Sequence, residues 1–168
     1  MRAIPTDIIS NWHFRVEGLQ QSTNEFYDAV EHKLKEHDAP RVRTERVRFS
    51  EGGIGSSKRE YLQVRRGEHV FHVCAAPFGN GFFISWWLGY IDSGFFAWLS
   101  RLPVIGFVIR HLIKPITYYR LDTANMFQSL TAGCVSQVLD GILEARGMSA
   151  LAREDYKPTI RDLLGRGR

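Results

Sequence analysis

Between Gly94 and Ile113 the chain runs GFFAWLSRLPVIGFVIRHLI, twenty residues with no acidic side chain and only six positions that are not plainly apolar (Gly94, Ser100, Arg101, Pro103, Arg110 and His111). Any fold built around this stretch must bury it or present it to something other than water. As one straight helix at about 1.5 Å per residue it would reach roughly 30 Å, the thickness of a bilayer core. Arg101 and Pro103, near its middle, oppose a single span. An arginine there costs about 2.5–3.5 kcal/mol on insertion scales, and a proline removes a helical hydrogen bond. The sequence therefore predicts an apolar helical hairpin over 94–113, hinged at Pro103. One arm carries Phe95, Phe96, Trp98, Leu99 and Leu102, and the other Val104, Ile105, Phe107, Val108, Ile109 and Leu112.

The charges beside these arms have one sign. Arg101, Arg110, Lys114 and Arg120 lie between Ser93 and Leu121, with His111 and without a carboxylate. Aromatic and aliphatic side chains flanked by cations suit a segment lying in an anionic membrane interface, where rings insert and cations meet headgroups. Burying four such side chains would contribute about 6–12 kcal/mol, at roughly 1.5–3 each, before ordering costs. The same pattern also suits a core hairpin packed on a sheet, a homo-oligomer contact or a protein-partner interface. The strand from Phe82 to Tyr90 is apolar on both faces, and a long C-terminal helix can cover one face by itself, which argues against core alone.

The rest of the chain reads as one α+β domain, 1–168, with a mainly antiparallel sheet: strand, helix, then four strands. A length of 168 residues with 44% hydrophobic and 24% charged side chains fits a single globular unit and excludes a disordered or polytopic chain. Trp12, Phe14 and Val16 alternate with polar residues as in a short half-buried strand. Ser22-Thr23-Asn24-Glu25 is a capping box, and the helix it opens places Phe26, Tyr27, Val30 and Leu34 on one side before Pro40. Strands follow at about Arg59–Arg66, His69–Ala76 and Phe82–Tyr90, separated by Arg66-Gly67 and Gly79-Asn80-Gly81. A helix from about Asp122 to Arg146, with Asp122 as N-cap and Gly147 as C-terminal cap, packs on one face of the sheet. A shorter helix is expected over 150–164, and 165–168 as a basic tail. No secretory signal, myristoylation or prenylation pattern is recognised at either end.

From Arg41 to Arg66 eight basic residues face three acids, a local balance of +5 in a chain of net charge +4. In the strand before Ser50 the apolar parity slips, and a bulge near Thr44-Glu45 would put Arg41, Arg43, Arg46 and Arg48 together on one face as contacts for anionic headgroups or phosphates. Solvated charge also protects a sheet edge, and without a nucleic-acid-binding motif a nucleic-acid partner is not favoured. Catalytic patterns are sparse. His72 and Cys74 share a strand face, but a small buried thiol and a histidine with one hydrogen-bond partner explain them. His69 and His72 point to opposite faces, and His32 and His37 are poorly spaced for a metal. The glycines of 51–58 lack the spacing of a phosphate-binding loop. Two cysteines cannot build a disulfide scaffold, and a reducing compartment fits. The sequence predicts a non-enzymatic peripheral membrane-associated module, without cofactor or metal, in the cytoplasm at the inner face of a membrane. The alternative is a soluble subunit using the same segment against a partner or its own copy.

Overall fold

In the computed structural model, which describes residues 6–50, 58–91, 118–149 and 155–160, period-two alternation resolves into antiparallel strands and the periodic stretches into two helices. The elements run β1 (Thr6–Glu17), α1 (Thr23–Glu36), β2 (Arg43–Ser50), β3 (Lys58–Arg66), β4 (His69–Phe78), β5 (Gly81–Ile91), α2 (Tyr118–Ala145) and the two-residue β6 (Thr159–Ile160). Five long strands and β6 form one sheet in the order β2-β3-β4-β5-β1-β6. The α+β class, the antiparallel sheet and the long C-terminal helix agree with the sequence reading. The apolar helical hairpin over 94–113 and the tail at 165–168 lie outside the described residues.

Both helices pack on one face of the sheet. Even-numbered residues of β1 and β5 (Trp12, Val16, Phe82, Ile84, Trp86, Leu88) meet odd-numbered residues of β4 (Phe71, Val73, Ala75) in one buried layer. Against it lie Phe26, Tyr27, Val30 and Leu34 of α1 and Phe127, Val135, Leu139 and Leu143 of α2. Helix α1 starts where the capping box predicts: the Ser22 hydroxyl accepts from the Glu25 amide. Gly147, at φ 68°, ends α2, with Met148 N–H donating to the Leu143 carbonyl and Gly147 N–H to that of Glu144. This paired closure of the last turn needs a left-handed residue, and glycine adopts it without steric cost.

Tyr27 joins α1 to the sheet through the backbone ladder. Pairing between β3 and β4 runs from Arg66–His69 to Leu62–Val73 and stops there, although both strands continue. In the opening, the Tyr27 hydroxyl accepts from Ala75 N–H and donates to the Glu60 carbonyl, both at 2.9 Å. A side chain thus stands in for a ladder bond and satisfies two backbone groups that would otherwise be buried unpaired. Burial pushes the phenol well above its ordinary pKa, so it stays protonated and able to donate.

Four expectations need correction. Strand β2 pairs with β3 in unbroken register from Arg43–Arg65 to Ser50–Lys58, so there is no bulge at Thr44-Glu45. The irregularity lies in β1, between Ile8 and Ser10, and that strand is twelve residues long. Helix α2 begins at Tyr118, so Asp122 lies within its first turns and is not its cap. Residues 155–160 form a turn and β6, which pairs with Ser10 and Asn11, where a helix was expected. Trp12 explains that last outcome. Its indole Nε1–H donates to the Asp155 carbonyl and its ring stacks on Tyr156, whose hydroxyl donates to Asp140 at 2.5 Å. These contacts hold a turn at Asp155 and Tyr156 just before Pro158, which cannot sit in a helix interior.

Candidate functional site

Ile91 is the last described residue of β5 and Tyr118 the first of α2, and Glu68 ties these two elements together. Its carbonyl accepts from Ile91 N–H at 2.8 Å, and its carboxylate accepts from Arg120 Nε at 3.0 Å and Nη2 at 2.9 Å. Glu68 belongs to the two-residue loop between β3 and β4, opened by Gly67 at φ 62°. The Arg120 guanidinium also lies 5.2 Å from the centre of the Tyr90 ring, and His69 packs on that ring's centroid at 4.7 Å. Burial holds the His69 imidazole below its ordinary pKa and pushes the Tyr90 phenol up, so both stay uncharged beside the ion pair. Just beyond this clamp, Tyr118 and Tyr119 are 88% and 81% exposed.

All the predicted apolar contacts, Phe95, Phe96, Trp98, Leu99, Leu102, Val104, Ile105, Phe107, Ile109 and Leu112, lie outside the described residues, as do Arg101, Arg110 and Lys114. The four predicted strand arginines are described, and the straight register separates them. Arg46 and Arg48 share the helix-covered face with Leu62 and Glu60. Arg46 donates to Asp28 at 2.7 Å and Glu31 at 3.4 Å, approaches Glu60 at 4.0 Å and caps the Tyr27 ring at 4.9 Å. Arg48 donates to Glu60 at 2.8 Å. Arg43 points to the other face, directly opposite Arg65, and Arg41 precedes the strand at φ 63°.

Arg65 and Arg66, which the sequence reading did not select, complete a second grouping. With Arg41 and Arg43 they occupy the end of the sheet marked by Gly67, the same end at which Ile91 and Tyr118 stand. Among the described residues no ion pair holds Arg41, Arg43 or Arg65, while Arg66 donates to the Pro40 carbonyl at 3.4 Å. The nearest same-face carboxylate along β2 is Glu45, opposite Gln63. At about 4.8 Å between strands, β2 lies about 14 Å from β5, so the arginine corner, Ile91 and Tyr118 share one end of the sheet. The sequence signal was the Arg65-Arg66 pair before the hairpin glycine, legible only once the register was known.

The His72–Cys74 pair lacks the features of a nucleophile. Cys74 is 1% exposed, and burial pushes its thiol up, away from the thiolate. His72 Nε2 lies 3.1 Å from Gln63 Oε1, and burial pushes the imidazole down to about 4. Phe49 and Tyr61 pack edge-on against that ring. Among the described residues no group of three or more His, Cys, Asp or Glu is placed to hold a metal ion, and no helix is long and apolar enough to cross a membrane. Comparison of the chain with protein-family models, with curated proteins and with solved structures gives no match.

Proposed function

We propose that this chain is a non-enzymatic peripheral membrane-associated module whose segment 94–113 enters an anionic membrane interface at the Gly67 end of the sheet. The observation that carries the reading is the Glu68 clamp. It fixes the departure at Ile91 and the return at Tyr118 to one corner, so an apolar segment tethered there can engage lipid while the sheet and helices keep their packing. Exposed Tyr118 and Tyr119 at that corner have the amphipathic rings favoured at headgroup depth. Arg101, Arg110 and Lys114, with no acid between Ser93 and Leu121, supply the attraction to anionic lipid.

Vesicle co-sedimentation tests this. The protein is expected to bind vesicles containing anionic lipid, less strongly as salt is raised, and to lose binding in the double variant Phe96→Asp plus Phe107→Asp. Undiminished binding by that variant refutes the assignment of the segment. Gel filtration of both proteins reads the alternative: a wild type that elutes as an oligomer and binds no vesicles, with a monomeric variant, would make the segment an interface between copies.

A further inference from the structure

The arginine corner carries a more specific reading, which rests on the membrane assignment above. We propose that Arg43 and Arg65, with Arg41 at the entrance of the same strand, form a subsite for a phosphate monoester on a membrane lipid headgroup.

Like charges directly opposite in an antiparallel ladder repel, and Arg43 and Arg65 are such a pair. The fold neutralises arginines elsewhere. Arg46 lies among Asp28, Glu31 and Glu60, Arg48 on Glu60, Arg120 on Glu68 and Arg15 on Glu17. At the Gly67 end the facing pair is left without a carboxylate partner among the described residues, Arg41 precedes Arg43 by two residues, and Arg66, one residue on from Arg65, turns to the helix-covered face, where it donates to the Pro40 carbonyl. Lys58 and Arg59, at the opposite end of β3, are not a second such site: Lys58 faces Ser50 and Arg59 faces Phe49, so neither opposes another cation.

Two planar guanidinium groups side by side on adjacent strands can donate to different oxygens of one tetrahedral anion, relieving their mutual repulsion as they bind it. A monoester suits the pair better than a diester, because it offers three terminal oxygens and a charge of about −1.5 to −2 at neutral pH. The lipid source follows from position, since the pair stands at the same end of the sheet as Ile91 and Tyr118, between which the apolar segment lies in sequence. A headgroup beside inserted arms would be held at high local concentration.

The test compares phosphatidylcholine vesicles doped with phosphatidic acid, a monoester, against vesicles doped with phosphatidylglycerol, a diester, at matched surface charge. The wild type is expected to bind the monoester vesicles about tenfold more tightly. Arg43→Gln plus Arg65→Gln should abolish that preference while melting at or above the wild-type temperature, since its like-charge pair is gone. Arg48→Gln, on the other face of the same strand, should keep the preference. Equal wild-type affinity for the two vesicles, or a preference that survives in the double variant, overturns the subsite and leaves the membrane reading standing. A wild type that binds neither vesicle removes the membrane reading. In that case, shifts of the Arg43 and Arg65 amide resonances with soluble glycerol 3-phosphate would move the subsite to a free phosphate ester and overturn the lipid assignment, and their absence would overturn the subsite altogether.

Discussion

Replacing Arg46 with glutamine should destabilise the protein, whereas the same change at Arg43, three residues away in the same strand, should not. Arg46 is 27% exposed at its side chain, donates to Asp28 at 2.7 Å and Glu31 at 3.4 Å, and lies over the Tyr27 ring at 4.9 Å. A charge-assisted hydrogen bond to a partly buried carboxylate contributes about 1.5 kcal/mol, and a partly desolvated cation–π contact about 0.5–1 kcal/mol. The pair with exposed Asp28 adds less than about 1 kcal/mol. The loss is then about 2–3 kcal/mol. In urea, with a slope of about 2 kcal/mol per molar, the midpoint should fall by about 1–1.5 M, and the melting temperature by about 4–12 °C for a chain of this size. Arg43→Gln removes half of a repelling cross-strand pair worth about 0.2–1 kcal/mol, so its midpoint should stay level or rise. Equal losses in the two variants would refute the straight register, because only a bulged strand puts both arginines in one environment.

Tyr27→Phe should cost about 1–3 kcal/mol in the same urea assay, since the Ala75 amide and Glu60 carbonyl lose their shared partner inside the fold. Gly133→Ala and Gly141→Ala should each stabilise by about 0.5–1 kcal/mol, because both lie in the interior of α2 and an added Cβ meets no atom within 4 Å at either. His72 gives a pH dependence of defined sign. With its folded pKa pushed down to about 4, it is neutral in both states above about pH 6.5. Between about 6.5 and 4 the unfolded chain takes up a proton that the fold resists, so stability falls with pH by up to about 3 kcal/mol. Urea midpoints at about pH 7 and 4.5 should converge in His72→Gln relative to the wild type, and an unchanged difference would contradict this cause.

What could be read from the sequence was whatever local chemistry decides. Ser22 caps α1 because its hydroxyl reaches an amide three residues on, and Gly147 closes α2 because a left-handed residue is required there; both are nearest-neighbour facts. Strand limits followed from hairpin glycines. The four arginines of 41–48 failed for the opposite reason. Their grouping depends on register against β3, and one residue of slip exchanges the faces. Val42 misled the parity because it precedes the strand, in the turn where its N–H donates to the Ala39 carbonyl. Likewise β6 pairs with Ser10 and Asn11, and the turn before it is held by Trp12 and Asp140, all far away in sequence, so no local periodicity over 155–160 announces it.

On the proposed membrane reading, the placement of Ile91, Tyr118 and the arginine corner at one end of the sheet predicts an orientation as well as an attachment. Strand β5 has eleven residues, so at about 3.3 Å each the Gly79-Asn80 turn lies roughly 35 Å from Ile91. If the Gly67 end meets lipid, the strands stand steeply to the membrane and the far turn remains in water. A nitroxide on Tyr119→Cys should then be relaxed by a lipid-soluble paramagnet once vesicles are added, and one on Phe78→Cys, 67% exposed at the far end, only by a water-soluble one. The native cysteines do not interfere, since Cys74 and Cys134 are both buried. Equal lipid contact at the two labels would mean that the sheet lies flat on the membrane. The arginine corner would then sit on one flank of the contact, and the Glu68 clamp would lose its role as the anchor point.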